Sequence, residues 1–435
     1  MKKALIFLAL AFSVLSLSCE TTEPSIDKTR LSLTSLDASV SEVFLKLQVQ
    51  NPRPNEKIEL KRNGITVMSF NSNRDTILVD TSLTENTAYT YSISAMEGGK
   101  VTSLGGSISV STLIPTGHDF EFQTFLYGNA DPSVLTDVAI IDENNIWAVG
   151  EINMKDSLGN VIFKPFNAVH FDGKEWKMIN IPTIDRTYTS YWSDHLEAIY
   201  ALDENDIWVT TGGQMVHFDG KSWGKWQHLA EDLYDTKIGS IRKIWINKDH
   251  EAYAVGEREN VWHYSGSGKW KQLATEGKYT LFDIWGIRTP SGEDKIICSG
   301  ANPPSSSSLF EIKGDKVTPI YRTSDKVLIS TWFINPYNIY SSGTSVFAYK
   351  ACKMETVFDD PYYFFKSVRG AGSNDIMVSG SPGFVAHYSG KDVKYFALDD
   401  RDAYISMAYN NGVVVMVGRR GEKAVLTIGK RSSSM

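Results

Sequence analysis

Four of the eight histidines, His170, His217, His263 and His387, are the first residues to suggest chemistry. Imidazole is the commonest metal ligand. A zinc ion, however, needs its ligands gathered within roughly 2 Å of one point. These four hold one equivalent place in four separate repeats: Val169-His170-Phe171, Val216-His217-Phe218, Trp262-His263-Tyr264 and Ala386-His387-Tyr388. Equivalent places in a ring of repeats lie far apart, so each His is expected to pack or hydrogen-bond where it stands. No metal and no other cofactor is expected. Cys298 and Cys352 are placed at the end of the second strand of the fourth repeat and in a turn of the fifth. That puts them toward opposite ends of their repeats, and a disulfide is disfavoured. No Gly-x-Ser-x-Gly, phosphate loop, HExxH or CxxC is present. The paired carboxylates Asp359-Asp360 and Asp399-Asp400 fall in turns. Nothing selects a catalytic pair, and a non-enzymatic protein is expected.

The runs Asp172-Gly173-Lys174-Glu175-Trp176 and Asp219-Gly220-Lys221-Ser222-Trp223 are tight-turn signals. In composition they resemble the Asp-box turns of sialidases, which space Asp and Gly by two and place Ser before them. The role expected here is structural: Gly supplies a positive φ and Trp caps the unit. A better pointer to function is where the long insertions fall, at Glu151–Pro165, Asn180–His195 and Ala301–Ser308. All three belong to connections that share one face of a ring of repeats. Long loops gathered on one face of a rigid scaffold mark a binding surface. Asp185, Arg186, Tyr188, Tyr191 and Trp192 in the second insertion are the candidate binding residues, suited to a protein hot spot or to sugar stacking.

The elements that must carry these residues form a repeat. An apolar or aromatic residue, two residues and a Gly recur from Trp147, Tyr253, Ile297, Tyr340, Met377 and Val415, with one longer copy from Trp208. Spacings between first positions are 61, 45, 44, 43, 37 and 38. Each copy follows an apolar run and a polar turn, and leads to another strand. Four short strands per roughly 40 residues is the arithmetic of a propeller blade. The final repeat supplies three strands, and Phe120–Phe125 stands alone before the first. That segment is expected to close a seven-bladed ring over residues 118–431. The repeated wording, Asn-Ile-Trp-Ala-Val-Gly followed by His-Phe-Asp-Gly-Lys-x-Trp, resembles bacterial surface-protein propellers. These are similar in style to kelch, BNR-repeat and photosystem II assembly-factor propellers. The resemblance implies a fold, and propellers host many functions.

Residues 29–115 read as seven short alternating strands in a β-sandwich. Leu83, Thr87 and Tyr89, followed by Tyr91-Ser92-Ile93-Ser94-Ala95, resemble the end of a fibronectin type III domain. That likeness implies a corner in which the Tyr89 hydroxyl bonds back to the backbone. An immunoglobulin-like sandwich of another subtype is the alternative. The whole chain is therefore expected to be all-β.

The start of the chain is an address. Lys2 and Lys3 precede an apolar run from Ala4 to Leu17, too short to span a bilayer comfortably. The ending Leu15-Ser16-Leu17-Ser18-Cys19 resembles a bacterial lipobox, which implies a signal peptide over 1–18, diacylation of Cys19 and a tether over 19–28. Of 435 residues, 42% are hydrophobic and 22% charged, the balance of a globular chain. The net charge of -7 argues against nucleic acid as a partner. Together these features predict a lipoprotein of the bacterial cell envelope, outer membrane included, whose propeller face binds a protein. The alternative is a glycan-binding or glycan-processing surface protein.

Overall fold

The computed structural model describes residues 28–432 apart from 72, 163–165, 183–194, 230–239, 267–268 and 303–305. Among the described residues the chain forms nine antiparallel sheets and one turn of 3-10 helix, Glu257–Glu259. The first two sheets face each other. Arg30–Ala38, Val43–Gln50 and Thr76–Asp80 make one, and Ile65–Phe70, Lys57–Arg62, Ala88–Glu97 and Lys100–Ser111 make the other, in those orders. Their alternating apolar residues meet in one core around Leu45, Leu47, Ile58, Leu60 and Ile93. The Tyr89 hydroxyl accepts the backbone N–H of Thr84 at 2.9 Å, tying the loop before its strand. The last strand runs from Lys100 to Ser111. Gly98 and Gly99 both have positive φ, 57° and 80°, which lets the chain reverse in two residues and pair at once.

Residues 120–431 form the other seven sheets, each of four strands. Six are simple meanders in chain order. The seventh joins Asp402–Asn410, Val413–Arg420 and Lys423–Arg431 to Phe120–Tyr127, which pairs along its whole length from Arg431↔Phe120 to Ala424↔Tyr127. The first strand of each sheet packs on the first strand of the next, and that of the seventh packs on that of the first. The hydrophobic core is divided among the interfaces between sheets. One cluster joins Trp147 and Val149 of the first sheet to Ile199 and Val209 of the second. Another joins Leu135 and Ile146 of the first to Val415 and Leu426 of the seventh.

Six of the seven recurring glycines lie within or at the end of the second strands, where the first strand bulges against them, and Gly212 of the longer copy lies in a bend beyond its strand. A Cβ on Gly380 would lie 1.9 Å from the Phe364 carbonyl oxygen, and one on Gly343 would lie 1.9 Å from that of Val327. Only glycine permits that approach. A correction concerns Ala301–Ser308. Most of it extends a hairpin, with Ala301 opposite Ser307 and Gly300 opposite Ser308, both serines buried. Alternate small residues fit a narrow space between sheets, which reads as a loop by composition. Cys298, too, lies mid-strand in Asp294–Asn302 rather than at its end.

The sandwich is bonded to the fifth and sixth of the seven sheets. Lys350 donates to both oxygens of Glu42 at 2.9 and 2.8 Å. Ser373 donates to the Ala38 carbonyl at 3.1 Å, and Asn374 to that of Ile114 at 2.7 Å. Further along, Lys391 pairs with Glu85 and His118 with Asp392.

Candidate functional site

The first strands bring polar residues to the centre of the seven sheets. Asp283 accepts two guanidinium bonds from Arg369, at 2.8 and 2.9 Å, and one from the Ser330 hydroxyl at 2.5 Å. The Thr331 amide donates to the same carboxylate at 3.0 Å. Both members of the ion pair are almost wholly buried, with side chains 5% and 7% exposed. Asp137 accepts from Lys243 and, at 2.8 Å, from Ser406, while the Ile199 amide donates to it at 3.0 Å. Tyr200 lies close enough to Arg369 for the guanidinium to oppose its pKa rise, which burial nonetheless carries up to about 12. So each of the seven first strands contributes one member: Asp137, Tyr200, Lys243, Asp283, Ser330, Arg369 and Ser406. Two acids meet two bases, and each charge is hydrogen-bonded, as buried charges must be. The Arg369 guanidinium also lies 5.1 Å from the centre of the Trp285 ring. The middle of the assembly is thus filled by a neutral knot.

One end of the knot is the insertion face. There the Leu196 amide donates to the Gly150 carbonyl at 3.0 Å, and Thr136 donates to the Leu196 carbonyl at 2.6 Å. His195 stands between Glu151 and Glu197, each 3.6 Å away. Burial opposes its charge, but the two carboxylates push its pKa up to about 9. Arg242 extends the chain of charges, 3.7 Å from Glu197 and 2.5 Å from Glu257.

The described part of the first insertion is a finger. Lys155 bridges to Val161, and the Ile162 amide donates to the Met154 carbonyl at 2.7 Å. The Asp156 carboxylate accepts the amides of Leu158 and Asn160, both at 2.9 Å. These bonds hold its carboxyl below the usual range. They also fix a tip on which Leu158 is 85% exposed, with Val161 at 51% and Ile162 at 45%. Cys19 and the five candidate residues Asp185, Arg186, Tyr188, Tyr191 and Trp192 lie outside the described residues.

The four histidines share a local device. His170 stacks on Trp147 at 4.1 Å, His217 on Trp208 at 4.4 Å and His263 on Tyr253 at 4.5 Å, each directly across the strand pair. The Nε2 of each meets a polar residue two positions before that aromatic: Asn145 at 2.9 Å, Asp206 at 2.8 Å and Glu251 at 2.7 Å. His387 repeats the bond with Asp375 at 3.0 Å, opposite Met377. Among the described residues no group of three or more His, Cys, Asp or Glu is placed to hold a metal. In the turns, Asp172 accepts the amides of Lys174 and Glu175, and Asp219 those of Lys221 and Ser222. Gly173 and Gly220 have φ of 85° and 83°, and Trp176 and Trp223 pack on Phe171 and Phe218. Both thiols are free. Cys298 is fully buried, which raises its pKa strongly, and Cys352 is exposed.

Solved structures share the fold. One is YCF48 bound to a D1 peptide, 15% identical over 71% of this chain and 96% of that one, with a TM-score of 0.51. Another is the extracellular domain of BT4673 from B. thetaiotaomicron, 13% identical, with a TM-score of 0.50. The match covers 73% of this chain and 40% of that one. No family model and no curated protein matches the chain. At these identities the likeness shows a propeller-like all-β fold.

The sequence reading missed the axial knot. Part of its signal was present: Asp137, Lys243, Asp283, Ser330 and Ser406 each stand two places after an apolar or aromatic residue, Leu135, Ile241, Leu281, Leu328 and Tyr404, whereas Tyr200 and Arg369 do not follow that spacing.

Proposed function

We propose that this chain is a non-enzymatic binding lipoprotein of the bacterial cell envelope, and that its insertion face engages a protein partner. In this reading Cys19 carries the lipid, residues 29–115 are a fibronectin type III-like spacer, and residues 118–431 are a seven-bladed propeller closed by Phe120–Tyr127. The Tyr89–Thr84 bond and the strand orders of the two facing sheets support the spacer. The first-to-seventh packing and the paired Phe120–Tyr127 strand support the ring.

The observation that carries the reading is the finger of the first insertion. A large aliphatic side chain held in water by a braced turn serves no folding purpose, and such apolar surface marks an interaction site. The filled axis adds to this, because a ligand must then be held on a face. YCF48, which shares only the fold, offers a precedent in having been solved with a peptide. The test is to replace Leu158, Val161 and Ile162 together with Ser. The exposed positions should leave folding unchanged, and capture of a protein partner from envelope extract should fall at least about tenfold, or 1.4 kcal/mol. Capture of a glycan with no protein partner would favour the alternative of a glycan-binding protein.

A further inference from the structure

Among the described residues Lys366 is a cation with no carboxylate counter-charge. It belongs to the first strand of the sixth sheet, Phe364–Gly372, one residue after Phe365, which pairs with Gly380 at the insertion-face end. Leu328 pairs with Gly343 and Tyr404 with Gly418 in the same way. The residues that follow them, Ile329 and Ile405, therefore hold the same place on the strands either side, since consecutive first strands pack together. Lys366 is half-buried between them in the circuit, and Ile405 is 42% exposed.

The other shifted lysines all have carboxylate partners. Lys177 is raised by Asp172, Lys326 by Asp325 and Lys391 by Glu85. Lys366 alone among them is lowered, and burial is the cause. Among the described residues no carboxylate forms an ion pair with it, and its ammonium rests 4.9 Å from the centre of the Phe364 ring. The axial knot offers no relief, because its two acids are already matched by Arg369 and Lys243. On the far side of the same end, Glu197 and Glu257 are engaged by Arg242, and Glu151 by His195. A desolvated ammonium without a partner is a standing cost, and its natural relief is an anion supplied from outside.

We propose that Lys366 is the anion-recognising residue of the insertion face, receiving a carboxylate that a partner protein presents between apolar side chains, which settle on Ile329 and Ile405. This deepens the reading above and rests on it. The partner segment is acidic at one position and aliphatic on either side of it. An ammonium already stripped of part of its water loses less on binding than an exposed one.

The test uses the full chain with two probe peptides, acetyl-Ile-Glu-Ile-amide and its Gln counterpart, together with Lys366→Met. Removing an unpaired charge is expected to leave the melting temperature level or higher, so a folded variant is available. The expected result is saturable binding of the Glu peptide at millimolar concentration, weakened about tenfold or more by Lys366→Met and by the Gln substitution. An amine-reactive reagent should label Lys366 early at mildly alkaline pH, and the Glu peptide alone should slow that labelling. Equal binding by Lys366→Met, equal binding of the Gln peptide, no saturable binding, or labelling indifferent to peptide would each overturn the assignment. If the finger variant loses its protein partner while Lys366→Met keeps it, the Lys366 assignment alone fails. If the finger variant also keeps that partner, the reading of the face fails with it.

Discussion

Asp283 and Arg369 illustrate how one buried residue depends on another. The guanidinium satisfies both carboxylate oxygens, and removing it strands a charge in the interior. Arg369→Met is therefore predicted to cost about 3–5 kcal/mol in a urea melt, and adding Asp283→Asn should recover part of that loss. An Arg369→Met chain as stable as wild type would show that water reaches the axis. His195 makes a prediction of opposite character. Its folded pKa is raised to about 9, so its contribution to stability is complete below the free imidazole value of about 6.5 and is lost as pH rises through 9. The fall in melting temperature between those values should shrink in His195→Gln, and an unchanged slope would mean that the Glu151 and Glu197 contacts do not hold in solution. The four repeat histidines were legible in the sequence, because repetition itself argued for a structural role. The ion pairs were not, because partners 86 and 106 residues apart share no local pattern.

The strands were the most legible elements, since period-two alternation and polar turns are local signals. Phe120–Tyr127 was also legible, but by counting: three strands at the end and one spare at the start. Its removal is predicted to leave the edge of Lys423–Arg431 unpaired and the chain prone to aggregation, measurable by light scattering. A truncated chain that stays monomeric would contradict the pairing. Less legible were the bulge glycines, because a composition rule reads Gly as a turn and only the pairing register reveals a carbonyl beneath it. Gly380→Ala is expected to cost about 1–3 kcal/mol, as an overpacked site does. Gly213→Ala, where nothing lies within 4 Å, should stay within about 0.5 kcal/mol of wild type.

At the scale of the molecule, the sandwich and the seven sheets meet through specific bonds, of which Glu42–Lys350 is the best-shielded ion pair, with side chains 15% and 16% exposed. The strand that reaches this junction at Ala38 starts eight residues away at Arg30, so the beginning of the described chain lies at the far end of the sandwich. The insertion finger and His195 belong to the ends of the strands opposite the turns that hold Asn374 and Lys391. A lipid on Cys19 would then leave that face pointing outward, and Cys19→Ala is predicted to move the protein from the membrane to the soluble fraction. The candidate residues of the second insertion were chosen from sequence by loop length and by their aromatic and charged types, while the finger and Lys366 became apparent only once exposure and pairing were known. The most direct test of a protein-binding face is capture from envelope extract by wild type beside two variants, Leu158→Ser/Val161→Ser/Ile162→Ser and Tyr188→Ala/Tyr191→Ala/Trp192→Ala. One saturable protein partner is expected, its recovery falling at least about tenfold in both. Undiminished recovery of that partner by both variants would contradict it.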